Sequence, residues 1–293
     1  MLRTSNPRNL LRAIVLSMIA LCVTGCESVI FGVINRGLPP PSASVVFDSS
    51  HQLALDVYRP VASLEATPVV VFFHGGSWQR GERAQYQFIG TRLAANGVLA
   101  IIADYRTFPR TTFPGFMKDA ASAIAWTKVH AGEYGGDPDK LFIAGHSAGA
   151  QIAALLGTDA RYLAAVHVEQ QQIAGVIGLS EPYDFDITGK YRQIFDPPSH
   201  YPQAQAVNFV DGNEPRFLLV HGTRDKVVEY RDSIEMAERI NAAGGQAQPL
   251  LLPDAGHFTP AAALYRNHYA PEVLPAILDF IKQQGPPTSA GGP

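Results

Sequence analysis

Ser147 sits at the centre of Gly145-His146-Ser147-Ala148-Gly149, between the apolar run "LFIA" and the helix-forming run "AGAQIAALLG". A serine at a sharp strand-to-helix turn has an exposed hydroxyl on strained backbone, and the flanking glycines let strand and helix approach each other. Such a hydroxyl is a poor nucleophile until a base takes its proton, and the base needs a carboxylate to orient it. Two residues further along the chain meet those needs. Asp225 follows the apolar run "RFLLVHG", and His257 stands in "LLPDAGHF", after the last such run. The order predicts Ser147 as nucleophile, His257 as base and Asp225 as orienting acid. His221 precedes the acid and is expected to support the loop carrying Asp225. Asp254 is expected to cap its loop, and Asp184 is the alternative acid.

Attack on a carbonyl generates an oxyanion that needs at least two N–H donors. Ala148, at the start of the helix, offers one. The stretch "VVVFFHGGSW" offers the other, from Gly75, Gly76 or Ser77, because a glycine pair lets the backbone turn its N–H groups inward. His74 is expected to brace this loop, while Trp78 and Tyr183 are candidates for lining a substrate pocket. Histidine and cysteine clusters with metal-ligand spacing and phosphate-binding loops of the GxxxxGK type are missing, so neither a metal nor an organic cofactor is expected.

The elements that must hold these residues are legible as alternating runs. "SVVF" and "LALDVY" form an antiparallel start. "PVVVFF", "VLAIIA", "LFIAG", "AGVIGL", "RFLLVHG" and "AQPLLL" are apolar without alternation, as strands covered on both faces are. Between them, Met117, Ala120, Ile124 and Thr127 recur at helical spacing in a segment stopping at Gly135. Ile234, Ala237 and Ile240 do the same in one ending at Gly244. The expectation is an α/β fold: a mostly parallel, doubly wound sheet of about eight strands, helices on both faces, and a small cap or none. Ligands of such sheets lie at the carboxyl ends of the strands. The stretch 182–215 is short for a cap domain, yet it carries Tyr183, Phe185, Tyr191, Phe195, Tyr201 and Phe209.

The chain has 293 residues with 46% apolar and 17% charged content, the profile of a compact enzyme-like domain. Arg3, Arg8 and Arg12 precede "AIVLSMIALCVTGC", an apolar run of secretion-signal length that is short for a membrane span. "VTGC" resembles the bacterial lipobox, in which the cysteine is lipidated. The expected organisation is a signal peptide over 1–25, a tether over 26–44, the folded domain over 45–284 and a disordered tail over 285–293. Lipid on Cys26 would anchor an exported protein in a membrane. Glu27 in place of aspartate favours the outer membrane, facing the periplasm or the cell surface. Only Cys22 and Cys26 occur, so the fold contains no disulfide. Net charge is −3, and loss of residues 1–25 removes three arginines and no acid, leaving no basic stripe for nucleic acid.

From about Val45 to Lys282 the chain resembles α/β-hydrolases of the carboxylesterase type that carry an H-G-G motif. These include hormone-sensitive-lipase-like esterases, kynurenine formamidases and prenylcysteine methylesterases. "HGGSW", "EYGGDPDK" and "GHSAGA" carry the likeness. It implies a serine hydrolase with Ser147, Asp225 and His257 as triad and N–H donors at Gly75, Gly76 and Ala148. Cleavage of small to medium carboxylic esters through an acyl-enzyme is the expected activity, with a small-molecule ester as partner. The rivals are an amidase, formamidase or peptidase using the same triad, and a non-catalytic binding lipoprotein.

Overall fold

The computed structural model describes residues 29–61 and 67–283. The expected signal peptide and Cys26 lie outside the described residues, as does the tail. Residues 29–34, within the expected tether, are helical. From Pro39 onward the chain forms one compact unit.

All eight apolar runs are strands: β1 (Ala43–Asp48), β2 (Leu53–Tyr58), β3 (Thr67–Phe73), β4 (Leu99–Ala103), β5 (Gly136–His146), β6 (Gly175–Leu179), β7 (Phe217–Gly222) and β8 (Ala247–Leu252). They form one sheet in the order β1-β2-β4-β3-β5-β6-β7-β8. β2 runs antiparallel to β1 and β4, and the remaining pairs are parallel. Helices lie between and after them: α1 (Gln87–Ala94), α2 (Gly115–His130), α3 (Ala148–Thr158), α4 (Ala160–Ala164), α5 (Tyr191–Phe195), α6 (Arg231–Ala242), and, beyond β8, α7 (Thr259–Tyr265) and α8 (Val273–Lys282).

The strands inside the sheet lack alternation because both faces are covered, whereas the edge strands β1 and β8 are only partly buried. From Val69 to Phe73 no side chain of β3 is more than 1% exposed. Each large apolar side chain so buried contributes about 1.5–3 kcal/mol relative to an exposed one. The α3 sequence, rich in alanine and leucine, is buried at all eleven positions, so the helix after Ser147 is part of the core. Met117, Ala120, Ile124 and Thr127 are the buried face of α2, which passes into a 3-10 turn that ends at left-handed Gly135. On α6 the buried face is Ser233, Met236, Ala237 and Ile240, with Ile234 at its edge. Periodicity of apolar residues alone placed Ile234 on that face and passed over Ser233.

The register brings the strand ends into line. Phe73 pairs with Gly145, Gly145 with Gly178, Leu179 with Val220, and Gly222 with Leu252. Five loops therefore leave the same edge of the sheet, carrying His74–Trp78, Ser147, Ser180, Asp225 and His257. The stretch between β6 and β7 holds only α5 and short 3-10 turns. A separate cavity of about 740 Å³, lined by Phe142, Ala174, Arg216 and Gln246 among others, lies at the opposite, amino ends of β5 to β8.

Candidate active site

Ser147 has φ 54 and ψ −121, a conformation that side-chain-bearing residues rarely adopt. It costs on the order of 1–3 kcal/mol and must be held by the surroundings. Two contacts show how. The Ser147 N–H donates to the Leu179 carbonyl at 2.9 Å. A Cβ at Gly145 would lie 2.2 Å from the Gly149 oxygen, and one at Gly149 would lie 2.2 Å from the Phe73 oxygen. Only glycine at both positions lets β5 and α3 close on the turn.

The structure brings the three expected residues together. His257 Nε2 is 2.9 Å from Ser147 Oγ, and its Nδ1 is 2.6 Å from Asp225 Oδ2. The other carboxylate oxygen accepts from the main-chain N–H groups of Val227 and Val228, at 2.8 and 3.0 Å. Burial alone would raise the Asp225 carboxyl. Hydrogen bonds from His221, His257, Val228 and Val227 outweigh that and hold it below the ordinary carboxylate range. The carboxylate is therefore charged and aimed. With Asp225 on Nδ1, the lone pair of His257 Nε2 faces the serine hydroxyl.

The alternative residues stand elsewhere. Asp184 is exposed. Asp254 forms an ion pair with Arg224 at 2.7 Å, and its N–H takes Thr223 Oγ1, so it belongs to its own turn. His221, fully buried, lies 3.1 Å from Asp225 Oδ2.

Gly76, Ser77 and Trp78 all have positive φ, at 130, 54 and 57. Left-handed residues in succession curl the chain and turn its N–H groups to one side. Among the described residues, the N–H groups of Gly76, Ser77 and Ala148 donate to no protein atom. Gly75 is a correction: its N–H donates to Tyr86 Oη at 3.1 Å, so it is not available to an oxyanion. His74 braces the loop, as expected. It stacks on Tyr105 at 4.3 Å, and burial lowers its pKa.

The pocket-lining expectations are also corrected. Tyr183 is fully buried and its hydroxyl points beneath Gly178 beside Glu181, away from open space. Trp78 is 3% exposed, gives its indole N–H to Gln151 Oε1 at 3.1 Å, and packs on Phe185 and Phe195. It is a packed wall. Gln151, one turn after Ser147, also donates to the Ala204 carbonyl at 2.8 Å, which ties the stretch 182–215 to α3.

Sequence reasoning passed over Tyr86, Ser180 and Ser233. Tyr86 lies in a 3-10 turn with no motif around it. Ser180, fully buried with φ 53, donates to the His257 carbonyl at 2.8 Å. Its position directly after β6 was the signal, since loops at that edge carry the site.

A nucleophile on a strained strand-to-helix turn, with its acid and base on later loops of a sheet in this order, defines an α/β-hydrolase. The chain belongs to the BD-FAE family, whose model matches residues 55–240. It is similar to Esterase LipC of Mycobacterium tuberculosis, at 31% identity over 235 residues, 73% of this chain and 58% of that protein. It is also similar to isoprenylcysteine alpha-carbonyl methylesterase ICME of Arabidopsis thaliana, at 29% identity over 73% of this chain and 56% of that one. Among solved structures, the apo form of Thermogutta terrifontis esterase 2 matches with a TM-score of 0.72 and 25% identity, covering 86% of this chain and 98% of its own. The chain spans little more than half the length of the curated relatives it matches.

Proposed function

We propose that this protein is a serine carboxylesterase cleaving small to medium carboxylic esters. The observation that carries the reading is the unbroken line from Ser147 Oγ through His257 to Asp225, at 2.9 and 2.6 Å. His257 Nε2 takes the serine proton as Oγ attacks the ester carbonyl. The N–H groups of Gly76, Ser77 and Ala148 receive the oxyanion. The imidazolium, stabilised by Asp225, then protonates the leaving alcohol, and an acyl-enzyme remains on Ser147. Water enters, His257 takes its proton, and the acid is released.

The relatives named above share the word esterase in their names, and only the ester bond is carried over. The thin stretch between β6 and β7 supports small to medium substrates. Long-chain lipids need a broader apolar cover than α5 and a few 3-10 turns supply.

The test is hydrolysis of p-nitrophenyl esters from acetate to palmitate by the protein and its Ser147→Ala variant. Turnover concentrated at short chains and lost in the variant is expected. Turnover of amides alone would move the reading to an amidase with the same triad.

We further propose that the enzyme is exported and tethered to a bacterial membrane through lipid on Cys26. The sequence "VTGC" behind an arginine-flanked apolar run supports this. Metabolic labelling with a palmitate analogue should mark the wild type and leave Cys26→Ala unmarked; equal labelling of the two would refute it.

A further inference from the structure

Asp225 Oδ2 serves two imidazoles. His257 Nδ1 reaches it at 2.6 Å and His221 Nε2 at 3.1 Å. Behind His221, Ser233 Oγ lies 2.7 Å from Nδ1. Ser233 is 1% exposed, while His221 and the Asp225 side chain are fully buried.

The polarity of this chain follows from its ends. A carboxylate oxygen only accepts, so Nε2 of His221 must carry a proton. In the neutral ring Nδ1 then accepts from the Ser233 hydroxyl. With Oδ1 held by two main-chain N–H groups and Oδ2 held between two imidazoles, the carboxylate cannot swing about its own bond. A side chain needed only for packing at this position would be apolar, since a buried imidazole must find partners on both nitrogens.

We propose that His221 is a positioning residue for the reaction, fixing Oδ2 of Asp225 against His257 through a hydrogen bond from Nε2, with Ser233 holding the far side of the ring. The inference rests on the serine-hydrolase reading. His221 touches no substrate; it acts through Asp225. Without its hydrogen bond, Oδ2 concentrates its charge on His257 alone and the carboxylate loses one of the two imidazoles that fix its tilt.

The titratable groups around this pair are His257, His146 at the end of β5, Glu181 after β6, and Asp232 on α6. Asp232 adjoins Ser233 and is raised to about 7 by burial and by Asp184, Glu235 and Glu229. The profiles are therefore also compared in a D232N background.

The experiment uses the full chain as wild type, H221F, H221Q and S233A. Two reactions are followed against pH: turnover of p-nitrophenyl acetate, with kcat and KM determined separately, and phosphorylation of Ser147 by diisopropyl fluorophosphate. In the second, the Oγ–P bond forms, P–F breaks, fluoride leaves and His257 takes the proton, so it reads the triad whatever the natural substrate is. H221F keeps the ring shape without the donor. It should lose about tenfold or more in kcat with little change in KM, and its acid-side midpoint should move to higher pH. H221Q, which restores an N–H near the position of Nε2, should recover most of the rate. S233A should move the midpoint in the same direction by less. A folded H221F or S233A with the wild-type profile, or H221Q as slow as H221F, would overturn the proposal. Failure of the ester reading would show separately, as labelling of Ser147 without ester turnover in the wild type.

Discussion

His146 Nε2 lies 3.3 Å from the main-chain oxygen of His257, so the residue beside the nucleophile holds the backbone of the base. Its Nδ1 is 3.0 Å from Tyr86 Oη, which in turn accepts the Gly75 N–H. Burial, with the nearby His257 as a lesser cause, pulls the His146 pKa down to about 3. The ring is therefore neutral, accepting from Tyr86 and donating to the His257 carbonyl. One imidazole thus joins the oxyanion loop, the nucleophile turn and the base loop.

Tyr86→Phe breaks that link while keeping the ring. It strands the Gly75 N–H and one nitrogen of His146, both buried. Stability should fall by about 1–3 kcal/mol in urea unfolding, and kcat should fall with it. Unchanged stability would mean that the link carries no energy.

Asp225→Asn leaves the shape of the site but offers an N–H where His257 needs an acceptor. The imidazole would then present the wrong tautomer to Ser147. We expect kcat to fall by about 10³–10⁴-fold with KM nearly unchanged, measured on a short-chain ester at pH 7. A loss of tenfold or less would point to another acid.

Glu181 is fully buried, and its carboxyl lies beside the buried Tyr183 hydroxyl under Gly178. Burial raises its pKa well above the usual value. As pH rises above the ordinary carboxylate range, the unfolded chain releases this proton first, so the folded state loses stability with increasing pH. His146 gives the opposite slope: its depressed pKa costs stability as pH falls from about 6.5 towards 3. Melting temperature should therefore peak between the two limbs. Glu181→Gln should raise it at pH 8, by about 2–4 °C per kcal/mol recovered, and leave it unchanged near pH 4. An equal shift at both pH values would contradict this account.

The strands, the turn at Ser147 and the three residues on their loops were legible because each has a local signature. Unalternating apolar runs marked β3 to β8, and glycine spacing marked the turn. What was not legible depended on tertiary contact. Gly75 and Gly76 look equivalent in sequence, and only the placement of Tyr86 spends one N–H and spares the other. Trp78 and Tyr183 read as pocket walls by type, but Gln151 and the space beneath Gly178 draw them inward. Ser233 is polar and so escaped an apolar pattern, although it shares the buried face of α6.

The central claim is a covalent intermediate on Ser147, and the most direct measurement is peptide mass mapping after a rapid acid quench with p-nitrophenyl acetate. The account predicts one acetyl group per chain, on the peptide containing Ser147, absent from Ser147→Ala and persisting longer in Asp225→Asn. Steady ester turnover with no label on that peptide, or with the label on another residue, would contradict it.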